Sequence, residues 1–425
     1  MVEIKAFRAI RFTAKAGDMG KLITQPYDKI TPEMQKKYYA ASEHNYCRLI
    51  LPTEENRYDV AKERLHKWMK DGALAKDAAP AIYVYFQDFE VLGAKHTRKG
   101  FVGAVKLSPF DDKIVLPHEK THAGPKVDRL KMYQATVKNL EMGFMLYPDP
   151  KREVLALLDE ASKSAPIIDV VDEYKVRNRL WKIDDPTKVR KLHDALKSEQ
   201  VVIADGHHRY ETGVSFRDEM RAANPKAPAD SAFFYSMTLM VAVDDKGLVV
   251  LPGHRALLKD AFTDAHIEKA RAYFDVKELA RKDVDRYLLD NRKAICFVAY
   301  DGKRYIGMAQ KAPGSVDSLL KPGYSADYKG LDVVVLRDAV FEGVLGLRDL
   351  KIHETIDYFR WADDAIKAVD DGKAKVVFLL NATRPEQVLK CAKNGERMPE
   401  KSTDFYPKMV SGVTMMDLSA GETLP

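Results

Sequence analysis

The chain has 425 residues, 46% hydrophobic and 31% charged, the make-up of an ordinary globular protein with room for two or three domains. Its 69 basic and 63 acidic residues leave a formal charge of only +6, which admits an anionic substrate but does not demand nucleic acid. Cys47, Cys296 and Cys391 form no C-x-x-C pair, which speaks against a disulfide framework or a cysteine zinc site. With no apolar run of ~20 residues and no signal-like core after Met1, a cytoplasmic protein off the membrane is expected.

In chain order, Phe7–Phe12 reads as a strand. Thr31 followed by Pro32 and Glu33 is a helix start, with threonine as the cap and proline at the first position, and the helix should run to about Ala41. The apolar run Tyr46–Leu51 is expected to be a strand that completes a β-α-β piece, closed by Pro52. Asp28 then sits in the turn before the helix, where a carboxylate can be held near a ligand. Residues 57–74 suit a surface helix, with Val60, Leu65, Trp68 and Met69 on one face. Ala81–Glu90 and Gly100–Leu107 should form a hairpin. Helical runs are expected at Val127–Met142 and 151–163, and Asp169–Ile183 alternates as β structure.

Val201–Ala204 is a short apolar run of the buried-strand type. Asp205-Gly206 breaks it, and from His207 onward a helical spacing sets in. His207, His208 and Arg209 therefore fall on a first helical turn. Unpaired N–H groups and a partial positive charge at that turn suit an anion, and Arg209 adds a fork that grips phosphate in two places. Beyond it, Ser236–Val243 is a strand and Leu248–Pro252 returns. Helices at 266–273, 283–290, 331–343 and 353–370 and strands at 294–299, 304–309 and 375–380 then describe a second α/β domain.

Two further polar stretches stand out. His118-Glu-Lys-Thr-His122 is formally the H-E-x-x-H zinc pattern, but Gly124-Pro125 follows too closely for the helix that chemistry needs. A polar loop with the cations Lys120, Lys126, Arg129 and Lys131 is the better reading, with Asp128 orienting a neighbour. The second stretch, Gly395–Lys408, holds Lys401, Ser402, Thr403 and Lys408 between prolines and aromatics, a rigid loop suited to completing a phosphate pocket. No P-loop, dinucleotide fingerprint or nucleophile elbow occurs.

The glycine-histidine-arginine turn at Gly206–Arg209 resembles that of the ParB/sulfiredoxin-like superfamily, which includes the nucleotide-dependent free serine kinases. Ala204–Thr212, Gln25-Pro-Tyr-Asp-Lys-Ile30, Pro117–Thr121 through Arg129, and Gly395–Thr403 together look like a bacterial and archaeal family long labelled a domain of unknown function. The resemblance covers essentially the whole chain, and His118, Glu119 and Thr121 carry over from its His-Glu-basic-Thr motif. It implies an α/β (α+β) protein: a ParB/sulfiredoxin-like core over 1–245 with an insertion at about 53–195, and a C-terminal α/β domain over 246–425. The 395–408 loop of that second domain is expected to reach the site.

The activity so implied is a small-molecule kinase that phosphorylates free L-serine or a similar hydroxy compound. Asp205, Gly206, His207, His208 and Arg209 would bind phosphate, with Lys120, Thr121, Lys126, Arg129, Lys401, Ser402 and Thr403 around them. Mg2+ would lie near Asp205 or Glu119, the donor being ATP, ADP or pyrophosphate. The acidic base would be Asp28 or Glu119, with His118 beside it. A ParB-like nucleotide switch that contacts DNA is the alternative, and the even mixture of charges argues against it. A sulfiredoxin-like reductase would need a cysteine in the turn, and none is there.

Overall fold

Residues 1–120 and 123–425 of the chain are described by a computed structural model. Ile82–Val91 is rich in β-branched and aromatic residues, and nearly every position along it is buried. It turns through Leu92 and Gly93, both at positive φ, into Ala94–Lys106. Val91 pairs with Ala94, so this is a tight two-residue hairpin.

Two compact units make up the chain, one of Met1–Leu248 with Pro407–Pro425, the other of Val249–Tyr406. The first unit is built on a nine-stranded mixed sheet. Its order runs Val115–Leu116, Val201–Asp205, Gly143–Tyr147, Tyr235–Ala242, Ala94–Lys106, Ile82–Val91, Arg177–Ile183, Ile168–Val171, and Ile4–Lys5 pairs with Ala94–Lys106. Strands from residues 53–195 and from 196–245 thus share one sheet. Two contacts are parallel, Val201–Asp205 with Val115–Leu116 and Gly143–Tyr147 with Tyr235–Ala242. One core joins Met145, Val201, Ile203 and Met240 to Val154 and Leu158, Leu192 and Leu196, and Tyr210. A second gathers Leu22, Tyr46, Leu49, Ile50, Trp68, Met132 and Leu140.

The second unit carries a six-stranded antiparallel sheet in the order Phe274–Leu279, Tyr305–Gln310, Cys296–Tyr300, Val376–Leu380, His254–Leu257, Ile356–Phe359. Helices Val284–Asp290 and Ala362–Asp370 pack into its core. The α/β (α+β) class expected from the sequence is what the chain adopts.

Some elements differ from expectation. Tyr46–Leu51 is no strand, because Cys47–Ile50 forms a buried helical turn; a short apolar run fits either element when both faces are covered. The helix expected at Val127–Met142 is Ala123–Thr136. Pro125 lies in its first turn, where a missing N–H costs nothing. Val137 at φ +51° ends it, and the short strand Lys138–Asn139 follows. The helix expected at 353–370 is instead a strand, Ile356–Phe359, and a shorter helix, Ala362–Asp370. All three cysteines are buried free thiols. Among the described residues no helix is long and apolar enough to cross a membrane.

Candidate functional site

Val201–Asp205 is an inner strand beside the edge strand Val115–Leu116, and it hands the chain to helix His207–Ala223 through Gly206 at φ +89°. A Cβ on Gly206 would lie 2.9 Å from Nε and 3.1 Å from Cζ of Arg209. Both the left-handed backbone and the guanidinium laid against it therefore ask for glycine. Arg209 is buried, donating from Nη1 to the Met142 carbonyl at 2.6 Å and from Nη2 to Asp205 Oδ1 at 3.2 Å. The other carboxylate oxygen of Asp205 accepts from Lys408 Nζ at 2.7 Å. Burial pushes the Asp205 pKa up, but Lys408, Arg209 and then Lys29 outweigh it and hold the carboxyl far below its ordinary range.

His118 packs beside this turn. Its backbone N–H donates to His207 Nε2 at 3.2 Å, and the two rings stand edge to face at 4.7 Å. His207 therefore carries its proton on Nδ1. Burial first, and His118 next, push its pKa down to about 3, so the imidazole is neutral. His118 Nδ1 lies 2.6 Å from the Ile203 carbonyl and donates to it, and its Nε2 lies 3.7 Å from Glu119 Oε1. Burial works to raise the Glu119 pKa, but His118 brings it down to about 2, with Asp205 repelling it. Two of the sequence stretches, Pro117–Lys120 and Ala204–Thr212, thus form one centre.

A third stretch lies alongside. The Tyr27 N–H donates to Glu141 Oε1 at 3.0 Å, and the Arg129 guanidinium covers the Tyr27 ring at 4.1 Å. Arg129 also donates to the Ile50 carbonyl at 3.0 Å and to Asp128. It is a packed member of this layer rather than a surface cation. Asp28, next to Tyr27, pairs with Lys29 at 3.6 Å and interacts electrostatically with Arg209. Lys126 reaches Glu211 on the helix at 2.5 Å. Lys120 is exposed. Thr121, and the His122 of the zinc-like pattern, lie outside the described residues; His118–Lys120 are not helical.

From the Gly395–Lys408 stretch, the residue found at Asp205 is Lys408. Lys401, Ser402 and Thr403 belong to the second unit, where Ser402 Oγ donates to the Pro399 carbonyl at 2.5 Å. Sequence reasoning passed over Glu141 and Arg98. Glu141 is buried and also accepts from Ser411 Oγ at 3.0 Å. Arg98 lies over the Phe144 ring at 4.9 Å. No motif marks either; a charged residue inside an apolar run such as Leu140–Tyr147 was the one available signal for Glu141.

Among the described residues no three His, Cys, Asp or Glu side chains gather as for a metal held by protein alone. Asp205 repels Glu119, and both carboxylate oxygens of Asp205 are engaged, one by Arg209 and one by Lys408.

A family model matches residues 4–334, that of DUF1015, described as a protein of unknown function. No curated protein matches. Among solved structures, a free serine kinase point mutant in complex with ADP is similar at 13% identity and TM-score 0.36, covering 73% of this chain and 90% of its own. Free serine kinase in complex with AMP is 16% identical at TM-score 0.35, covering 73% and 89%. A conserved hypothetical protein from Pyrococcus furiosus is 15% identical at TM-score 0.34, covering 73% and 93%.

Proposed function

Since this chain belongs to the DUF1015 family, we propose that it is a Mg2+-dependent small-molecule kinase that phosphorylates free L-serine or a similar hydroxy compound. The donor is a nucleotide or polyphosphate: ATP, ADP or pyrophosphate. The observation that carries this reading is the turn Asp205–Arg209, a helix N-terminus whose first residue accepts a hydrogen bond from the His118 backbone. The resemblance of the Gly206–Arg209 turn to that of the superfamily that includes the free serine kinases supports the same activity.

Phosphoryl transfer needs donors for the phosphates, neutralisation of their charge and a base for the acceptor hydroxyl. The N–H groups of the helix start, His208 and Arg209 meet the first need, together with Lys120 and, on helix Ala123–Thr136, Lys126. Asp205 and Glu119 would hold the magnesium ion, which would neutralise phosphate charge when bound. A carboxylate with a pKa of about 2, such as Glu119, suits a cation better than a proton. The base is therefore Asp28. It takes the hydroxyl proton as the acceptor oxygen bonds to phosphorus and the bond from phosphorus to the donor's bridging oxygen breaks.

Calorimetric titration of the full chain with ATP, ADP and pyrophosphate in Mg2+ tests the reading. Saturable binding of at least one is expected. Heat of dilution alone for all three, from a folded sample, would overturn it.

A further inference from the structure

The second unit holds a cavity of its own, about 430 Å3, the size that takes a small molecule. Four segments of Val249–Tyr406 meet there. They are the turn before strand Cys296–Tyr300, the end of Tyr305–Gln310, the start of Asp332–Val335, and the loop from Val376–Leu380 into helix Pro385–Lys393. Arg384 and Gln387 fasten these segments together. Arg384 Nη1 donates to the Arg292 carbonyl at 3.0 Å, and Gln387 Nε2 donates to the Gly330 carbonyl at 3.1 Å. The walls are thus tied by bonds of the chain itself.

The charges of the cavity are sorted. Arg292, Lys293, Lys311 and Arg384 line it as exposed side chains, and among the described residues none makes an ion pair with a carboxylate. Asp332 is partly buried, and among the described residues its carboxyl takes no hydrogen bond or ion pair from another side chain. Desolvation pushes that carboxyl up to about 8, against the pull of the Cys296 N–H, Arg384 and Arg255. Asn381 donates from Nδ2 to the Leu288 carbonyl at 3.0 Å and to Cys296 Sγ at 3.3 Å, and its Oδ1 is left as an acceptor. Thr383 is 7% exposed and lines the cavity too, its hydroxyl without a partner among the described residues. Polar groups so enclosed are ordinarily hydrogen-bonded. Three acceptors without donors therefore share one cavity with four cations without anions.

We infer that this cavity binds an anionic amino acid, its ammonium group received by Asp332, Asn381 and Thr383 and its acid groups by the four cations. An ammonium carries three donors and no acceptor, which matches the three side-chain acceptors. It also gives the Asp332 carboxyl a counter-charge, the one thing that offsets desolvation of a carboxylate. A carboxylate or phosphate on the same molecule meets Arg384, whose fork can take two oxygens at once, with the lysines as point charges. A purely anionic ligand leaves Asp332 unanswered, and a purely cationic one is repelled by the basic side chains. The cavity contains no residue of the Asp205–Arg209 turn, so the inference goes beyond the kinase reading and does not rest on it.

Calorimetry of the full chain tests this with two matched pairs, L-aspartate against L-malate and O-phospho-L-serine against 3-phosphoglycerate. Within each pair only the ammonium is exchanged for a hydroxyl. Wild type is expected to bind at least one of the amino acids saturably, and at least tenfold more tightly than its hydroxy counterpart. Asp332→Asn should erase that preference, and Arg384→Met should weaken the amino acid at least tenfold. Binding of neither amino acid, equal affinity within both pairs, or unchanged affinity in either folded variant would overturn the inference. Wild-type crystals grown with each amino acid decide the matter even if Asp332→Asn does not fold. A ligand amine within hydrogen-bond distance of Asp332 supports the inference, and a cavity left empty while the ligand is ordered elsewhere refutes it. Failure of the kinase reading looks different, since Asp332-dependent binding with no phosphate ester formed leaves this inference standing.

Discussion

Replacing Gly206 by alanine probes the turn on which the site depends. At φ +89° an L-residue costs about 1–2 kcal/mol relative to glycine. The added Cβ would also meet Arg209 Nε at 2.9 Å, several tenths of an ångström too close. A free arginine would step aside, but this one is buried and tied to the Met142 carbonyl at 2.6 Å and to Asp205 at 3.2 Å. A charge-assisted hydrogen bond of this kind contributes about 1.5–3 kcal/mol, and a shift weakens part of that. The sum is a loss of about 2–4 kcal/mol, read as the change in unfolding free energy in urea. The Gly206→Ala/Arg209→Ala double variant separates the two causes, because without Arg209 only the backbone strain remains and a coupling of about 1–2 kcal/mol should appear. A Gly206→Ala loss below about 0.5 kcal/mol would refute the argument.

Asp205→Asn leaves Lys408 and Arg209 facing a neutral amide, and should cost about 3 kcal/mol in the same assay. The sign of its pH dependence follows: Asp205 has a lowered pKa when folded, so its contribution is complete above the ordinary value of 3.8 and is lost as pH falls below it. Acid unfolding of Asp205→Asn should accordingly be less steep there than that of wild type. His207 is held near 3 against an ordinary 6.5, so its C2–H resonance should not titrate between pH 7.5 and 5; a midpoint near 6.5 would contradict the buried neutral imidazole. The same shift removes stability as pH falls from 6.5 toward 3, up to about 1.4 kcal/mol per unit, and His207→Gln should flatten that slope. Lys126→Ala breaks a partly exposed pair with Glu211 and should change thermal stability by less than about 1 kcal/mol while raising the KM for the phosphate donor.

The strand-turn-helix at 201–217 was legible because each local signal agreed: an apolar run, a glycine where the chain reverses hand, then helical spacing. The hairpin at Ile82–Lys106 was legible only in its two apolar arms; the charged stretch between them continues the strands and hides the tight turn at Leu92-Gly93. Cys47–Ile50 was not, since a run buried on every side has no periodicity to separate helix from strand. Within the site, Asp205 to Arg209 announce themselves because they are adjacent in sequence. Lys408 stood in a recognised basic stretch, but nothing local says that it, two hundred residues on, is the cation that meets Asp205. Arg98 and Glu141 were harder still, for each sits among apolar neighbours and gains meaning only from partners that the sheet and the returning C-terminal segment supply.

The most direct measurement is of product. Purified full chain is incubated with Mg2+, L-serine and, in separate reactions, ATP, ADP and pyrophosphate, and phosphate esters are read by phosphorus NMR, with Asp28→Asn alongside. The account predicts phosphoserine, or the ester of a closely similar hydroxy compound, from at least one donor, reduced about a hundredfold or more in Asp28→Asn. No ester from any donor, with wild type folded, would contradict it.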